Sequence, residues 1–202
     1  MSSFVLLWCF AHYINFVQSN KPLITRYYLA LLYSILSTIF SFINRYQNNK
    51  SLYQPHTNIQ NKILEFSIGY YISNGISAIY YQKYIPSIYN LLQIISSIHN
   101  YYSNRNGGLG ILQILLIETV NSFSYLTKLY PSNKLTYLYL VLFCIIRLLY
   151  MPYIYFRLKN NLSSTEIQHY NISRTLLFIF DVYRFSYKVH RLSMVTSIKY
   201  KE

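Results

Sequence analysis

The chain has 202 residues, of which 53% are hydrophobic and only 11% charged, with a formal net charge of +13. A water-soluble domain carries roughly a quarter charged residues, so this composition argues against a hydrated surface on all sides. The basic residues stand as singles or pairs between apolar runs instead of gathering on one face, which disfavours nucleic acid as a partner.

A helix needs roughly 20 mostly apolar residues to cross a hydrocarbon core. The N-terminal run, 4–17, carries His12 and Asn15. No basic residue precedes it and no small-x-small cleavage pattern follows, so it is expected to be a retained first span and not a signal peptide. The stretch 27–44 lacks charge and is bounded by Arg26 and Arg45, which makes it the clearest span. Residues 48–62 are polar and predict a loop. A third span is expected over 63–82, with Glu65 near its edge, and a fourth from Pro86 to about residue 102. Residues 104–108 and 131–133 read as turns. They bracket a fifth span over 109–127, and a sixth follows over 135–156. After the polar stretch 158–169, a seventh candidate covers 172–189. The runs are too long and too weakly alternating for membrane strands. The expected fold is therefore all-α: a polytopic membrane protein of about seven transmembrane helices. The expected divisions are an N-terminal span (1–21), a transmembrane domain (22–192) and a basic cytosolic tail (193–202).

Arg184, Lys188, Arg191, Lys199 and Lys201 put the C-terminal end on the cytosolic side. Seven spans would add Lys21, Arg26, Lys83, Lys128 and Lys134 to that side. Arg45, Lys50, Lys62, Arg105, Arg157 and Lys159 fall opposite, so six spans remain an alternative. Charges inside a membrane face a partner or a wet cavity. Glu118 and Arg147 lie near the middles of the fifth and sixth spans, which a short turn joins. They are expected to pair across the interface or to line one polar cavity. A purely structural pair that sets helix register competes with that expectation. Asp181 and Arg184, three apart, are expected to meet on one helix face.

Cys9 and Cys144 lie in apolar runs and match no disulfide framework or metal spacing. His12, His56, His99, His169 and His190 include no pair at helical ligand spacing, so no metal is expected, and no motif calls for a cofactor. No nucleophile elbow, phosphate loop or carboxylate pair is visible. Tyrosine pairs at 27–28, 70–71, 80–81 and 101–102 lie near span ends, where interfacial anchoring explains them.

The order of several segments resembles the TLC domain, the family that includes the TRAM and ceramide synthase proteins. Phe66-Ser67-Ile68-Gly69-Tyr70-Tyr71-Ile72-Ser73-Asn74 is similar to its Ser-x-Gly-Tyr-Phe-x-x-Asp segment, and Asn90 to Ser97 stands in the place of its His-His helix. Gly107-Gly108 and then Glu118-Thr119-Val120-Asn121-Ser122-Phe123 resemble the glycine turn and the Glu-Ile-Ser-Thr-Pro-Phe segment. Phe143 to Arg147 with Pro152, and Phe180 to Lys188, resemble the two closing patterns. The resemblance covers residues 22–192. It implies a helical bundle around a central cavity, lipid-related work and residence in the endoplasmic reticulum. An organellar inner membrane is the alternative. The family's paired histidines are replaced by apolar residues and Gln93, and its aspartate by Asn74. Acyl transfer thus lacks its base, and no catalytic residue is assigned. The expected function is lipid binding or sensing, or an influence on membrane composition, with Glu118, Arg147, Gln93 and Asn74 as polar contacts in the cavity. A divergent acyltransferase using His99 and a structural subunit with membrane-protein partners are the alternatives.

Overall fold

The computed structural model describes residues 2–18, 22–47, 54–103, 107–159 and 164–199. Nearly all of them are helical, and none forms a strand. Seven helices follow in order: α1 (Ser2–Gln18), α2 (Pro22–Gln47), α3 (Asn58–Tyr80), α4 (Tyr84–Ser103), α5 (Gly107–Leu129), α6 (133–159) and α7 (Ser164–Lys199). Among the described residues three stretches, Ile24–Gln47, Gly108–Leu129 and Asn133–Ile154, are long and apolar enough to cross a membrane, fewer than the seven expected. The other helices fall short for visible reasons. The apolar part of α1, Ser3–Ile14, is short. In α3 and α4 buried polar residues such as Glu65, Asn74, Asn90 and Gln93 interrupt the apolar runs, and α7 carries several charges.

Local chemistry sets the helix ends. α3 begins five residues before the expected span, because Thr57 caps it. The Thr57 hydroxyl accepts from the Gln60 backbone N–H, and the Gln60 side chain accepts from the Thr57 N–H. At its other end Gln82 takes φ 55°. This left-handed residue lets the Gln82 and Lys83 N–H groups reach the carbonyls of Ile79 and Ala78, each at 2.8 Å. α4 therefore starts two residues before Pro86, which then sits in a first turn, where no N–H is needed. The expected turn at 104–108 lies partly outside the described residues, as do 200–202 of the expected tail. α7 itself continues to Lys199.

α6 changes register midway. It is α-helical over Asn133–Phe143, π-helical over Cys144–Tyr150 and α-helical again from Met151. The Met151 N–H reaches the Ile146 carbonyl, five residues back. Pro152 has no N–H to give and its ring crowds the preceding turn, and the wide turns stand immediately before it. They carry Arg147.

α2 and α5 make the most extensive contact in the bundle. Ala30, Ser34, Ser37 and Ser41 form a buried stripe of small residues along α2, which permits close helix approach. α1 crosses α3 at Gly69, where an added Cβ would stand 2.9 Å from the Phe4 carbonyl carbon. Beside this crossing Trp8 packs edge-on against Tyr33 and Tyr70, whose rings stack at 3.6 Å. Tyr70 and Tyr71 are thus buried core residues and not interfacial anchors as expected. The partner of α1 is a helix of the main bundle, so the first helix does not stand apart.

Two helices of the bundle turn a polar face inward and an apolar face outward. On α4, Ile88, Leu91 and Ile95 are exposed while Asn90, Gln93, Ser96 and Ser97 are buried. On α2, Leu32, Ile35, Ile39 and Phe42 face out and the serine stripe faces in. A water-soluble helix shows the reverse polarity.

Candidate functional site

Glu118, near the middle of α5, is fully buried. Three helices supply its donors. Oε2 accepts from the Ser34 hydroxyl of α2 at 2.7 Å and from the Asn121 amide, one turn along α5, at 3.2 Å. Oε1 accepts from the Tyr71 hydroxyl of α3. Among the described residues the carboxyl group is satisfied without a cation in contact.

Arg147 is 3% exposed and reaches inward from the π-helical turns of α6. Its Nη1 donates to the Tyr89 hydroxyl of α4 at 2.6 Å and forms an ion pair with Asp181 of α7, 3.3 Å to Oδ2. Its Nη2 donates to Asn121 Oδ1 at 3.0 Å and more weakly to the Ile117 carbonyl at 3.4 Å. Gln93 completes the set by donating to the Tyr89 hydroxyl at 2.8 Å. Arg147 Nε is buried with no hydrogen-bond partner.

Two expectations are corrected by this geometry. Glu118 and Arg147 do not pair directly, because Asn121 stands between them, giving its amide hydrogen to one and its carbonyl to the other. The carboxylate that meets Arg147 is that of Asp181, whose expected partner on the same helix face is Arg184. Arg184 instead lies over the rings of Tyr89 and Phe143, at 4.8 and 5.9 Å. The resulting cluster joins α2, α3, α4, α5, α6 and α7 through one connected set of polar contacts. Ser34, Tyr71, Tyr89 and Asn121 were missed in the sequence. Asn121 alone was signalled there, since it lies three residues from Glu118 and so on the same helix face.

The four expected cavity contacts do not share one cavity. Arg147 and Gln93 line an apolar cleft of about 280 Å³, walled by Ile117, Met151, Pro152 and Phe178. Asn74 belongs to a different network: its side-chain oxygen accepts from Arg26 Nε and Nη2 at 3.1 and 2.9 Å, and its amide donates to Asn90 at 3.3 Å. It lines a second cavity of about 520 Å³, near the start of α4 and the end of α5. Glu118 lines neither. A third groove of about 480 Å³ lies among α1, α2 and α3 and is almost wholly apolar. His99, half-buried late in α4, is in the lining of none of the three. No family model, curated protein or solved structure matches the chain.

Proposed function

We propose that the chain is a multi-pass membrane protein that binds a lipid, with an acyl chain in the apolar cleft and its polar end at Arg147 and Gln93. The inverted polarity of the helices supports the membrane part. Exposed Ile, Leu and Phe on α2, α4 and α6 suit lipid, and the buried charges Glu118, Arg147 and Asp181 find partners inside the bundle.

The observation that carries the lipid part is the wall of the cleft. A mostly apolar surface, with Gln113, Thr175 and Asp181 as its other polar members, holds a buried guanidinium whose Nε–H has no partner, beside the Gln93 amide. That is the donor pattern a lipid carbonyl or carboxylate requires. The order of the Gly69-Tyr70, Glu118, Arg147-Pro152 and Asp181 segments supports a divergent relative of the TLC domain, and with it the endoplasmic reticulum. Glu118 and Asn74 hold the frame in this arrangement and do not touch the ligand.

A photoreactive fatty acid tests the proposal. With the purified chain in lipid nanodiscs, the label should fall on peptides containing Met151, Pro152 or Phe178. The double variant R147M/D181L replaces the ion pair by apolar groups, a change that is often neutral or stabilising for a buried pair. It should stay folded and lose the label. Unchanged labelling of a folded double variant would sink the proposal.

A further inference from the structure

The second cavity differs from the cleft in its charge. Arg26 of α2, Lys83 of the α3–α4 turn, Lys128 of α5, and Arg184 and Lys188 of α7 all line it, and no Asp or Glu does. These residues come from distant parts of the chain and from four separate elements. Membrane orientation alone accounts for basic residues on one side of a bundle. It does not account for their convergence on the wall of one concavity.

The wall is built. Arg26 is 5% exposed, and its guanidinium is fixed by two hydrogen bonds to Asn74 Oδ1. Asn74 in turn donates to Asn90 Oδ1, which leaves the Asn90 amide nitrogen as a neutral donor on the same wall. Lys128 Nζ lies 4.7 Å from the Tyr27 ring centre, Arg184 lies over Tyr89, and Lys188 Nζ over Tyr139 at 4.9 Å. Aromatic faces thus help hold three of these side chains in place. Asp181 of the central cluster, three residues from Arg184 on α7, is engaged by Arg147. Basic groups gathered around one volume without an acid in its lining repel one another, and a multiply charged anion relieves that repulsion.

We infer that this cavity binds a phosphate group. Arginine forks and amide donors match phosphate oxygens, and lysines add point charge. The volume of about 520 Å³ falls within the roughly 300–1,000 Å³ of small-molecule sites, so a phosphate with an attached group fits. The chemistry is common to a lipid phosphate headgroup and to a soluble phosphate compound. The inference does not depend on the apolar cleft, which has a different lining.

Binding to the purified full chain in detergent micelles separates the possibilities. The probes are inorganic pyrophosphate and lysophosphatidate, against sodium chloride of matched ionic strength and lysophosphatidylcholine. Stabilisation by both phosphate probes supports a soluble phosphate ligand, and stabilisation by lysophosphatidate alone supports a lipid headgroup. No stabilisation beyond the two controls overturns the inference.

The variant K83Q/K128Q should bind about tenfold more weakly with its own melting temperature retained. K83Q/K188Q serves should the first variant not fold. The control K62Q/K134Q removes two lysines outside the lining and should bind as the parent does. Equal losses in control and cavity variants would mean net charge alone, and would also overturn the inference. Fatty-acid labelling of the apolar cleft should persist in K83Q/K128Q, so failure of one site is distinguishable from failure of the other.

Discussion

Arg147 and Asp181 set the energetics at the residue scale. Removing one member of a buried ion pair leaves the other charge without compensation, at a cost of about 3–5 kcal/mol. Asp181→Asn should therefore lower the melting temperature of the detergent-solubilised chain far more than the double variant R147M/D181L. The comparison also tests the pairing itself. If Glu118 were the true partner, Asp181→Asn would be nearly silent. Tyr89 accepts from both Arg147 and Gln93, so the phenol oxygen is the hinge between the ion pair and the cleft wall. Glu118 stands apart from this pair, held by Ser34, Tyr71 and Asn121. Its position in the middle of an apolar run was plain in the sequence. Its donors were not, since two of them sit on α2 and α3, more than forty residues away in the chain.

The elements show which motif residues are structural. Gly69 falls in the Gly-Tyr segment of the resemblance, and its role in this fold is to admit the α1 backbone. Gly69→Ala should destabilise the chain by about 1–3 kcal/mol through overpacking, measured by thermal unfolding. It should also expose Trp8, read as a red shift of its fluorescence, which is unambiguous because the chain has one tryptophan. An unshifted spectrum and unchanged stability would show that α1 does not dock at Gly69. In α6 the wide turns before Pro152 carry Arg147. Local unwinding of this kind turns a side chain relative to the residues around it, and such turns recur at functional sites. Sequence periodicity alone would extend a regular helix through 135–156 and misplace the direction of Arg147.

For the whole molecule, sidedness is the testable property. The 81–83 and 130–132 turns and the C-terminal half of α7 belong to the end of the bundle that carries the basic cavity, and the 54–57 segment belongs to the other. With Cys9 and Cys144 replaced by serine, Gln82→Cys and Ser132→Cys should react together with an impermeant thiol reagent from the cytosolic side. Gln54→Cys should react only from the opposite side. Labelling of Gln82→Cys and Ser132→Cys from different sides would break the proposed topology. The modest charge bias in the sequence becomes a sharper signal in the fold, because Arg26, Lys83, Lys128, Arg184 and Lys188 surround one cavity.

The sequence by itself determined the helical class, the strongest apolar stretches and the mid-helix positions of Glu118 and Arg147, because these depend on local composition and on the length of each run. Only the tertiary structure decided that Asp181 is the partner of Arg147, that Asn121 separates it from Glu118, that Asn74 serves Arg26, and that five scattered cations meet around one cavity. Those outcomes depend on the rotation of each helix about its axis and on which helices become neighbours. Both are set by long-range packing, at the serine stripe of α2, at Gly69 and in the widened turns of α6.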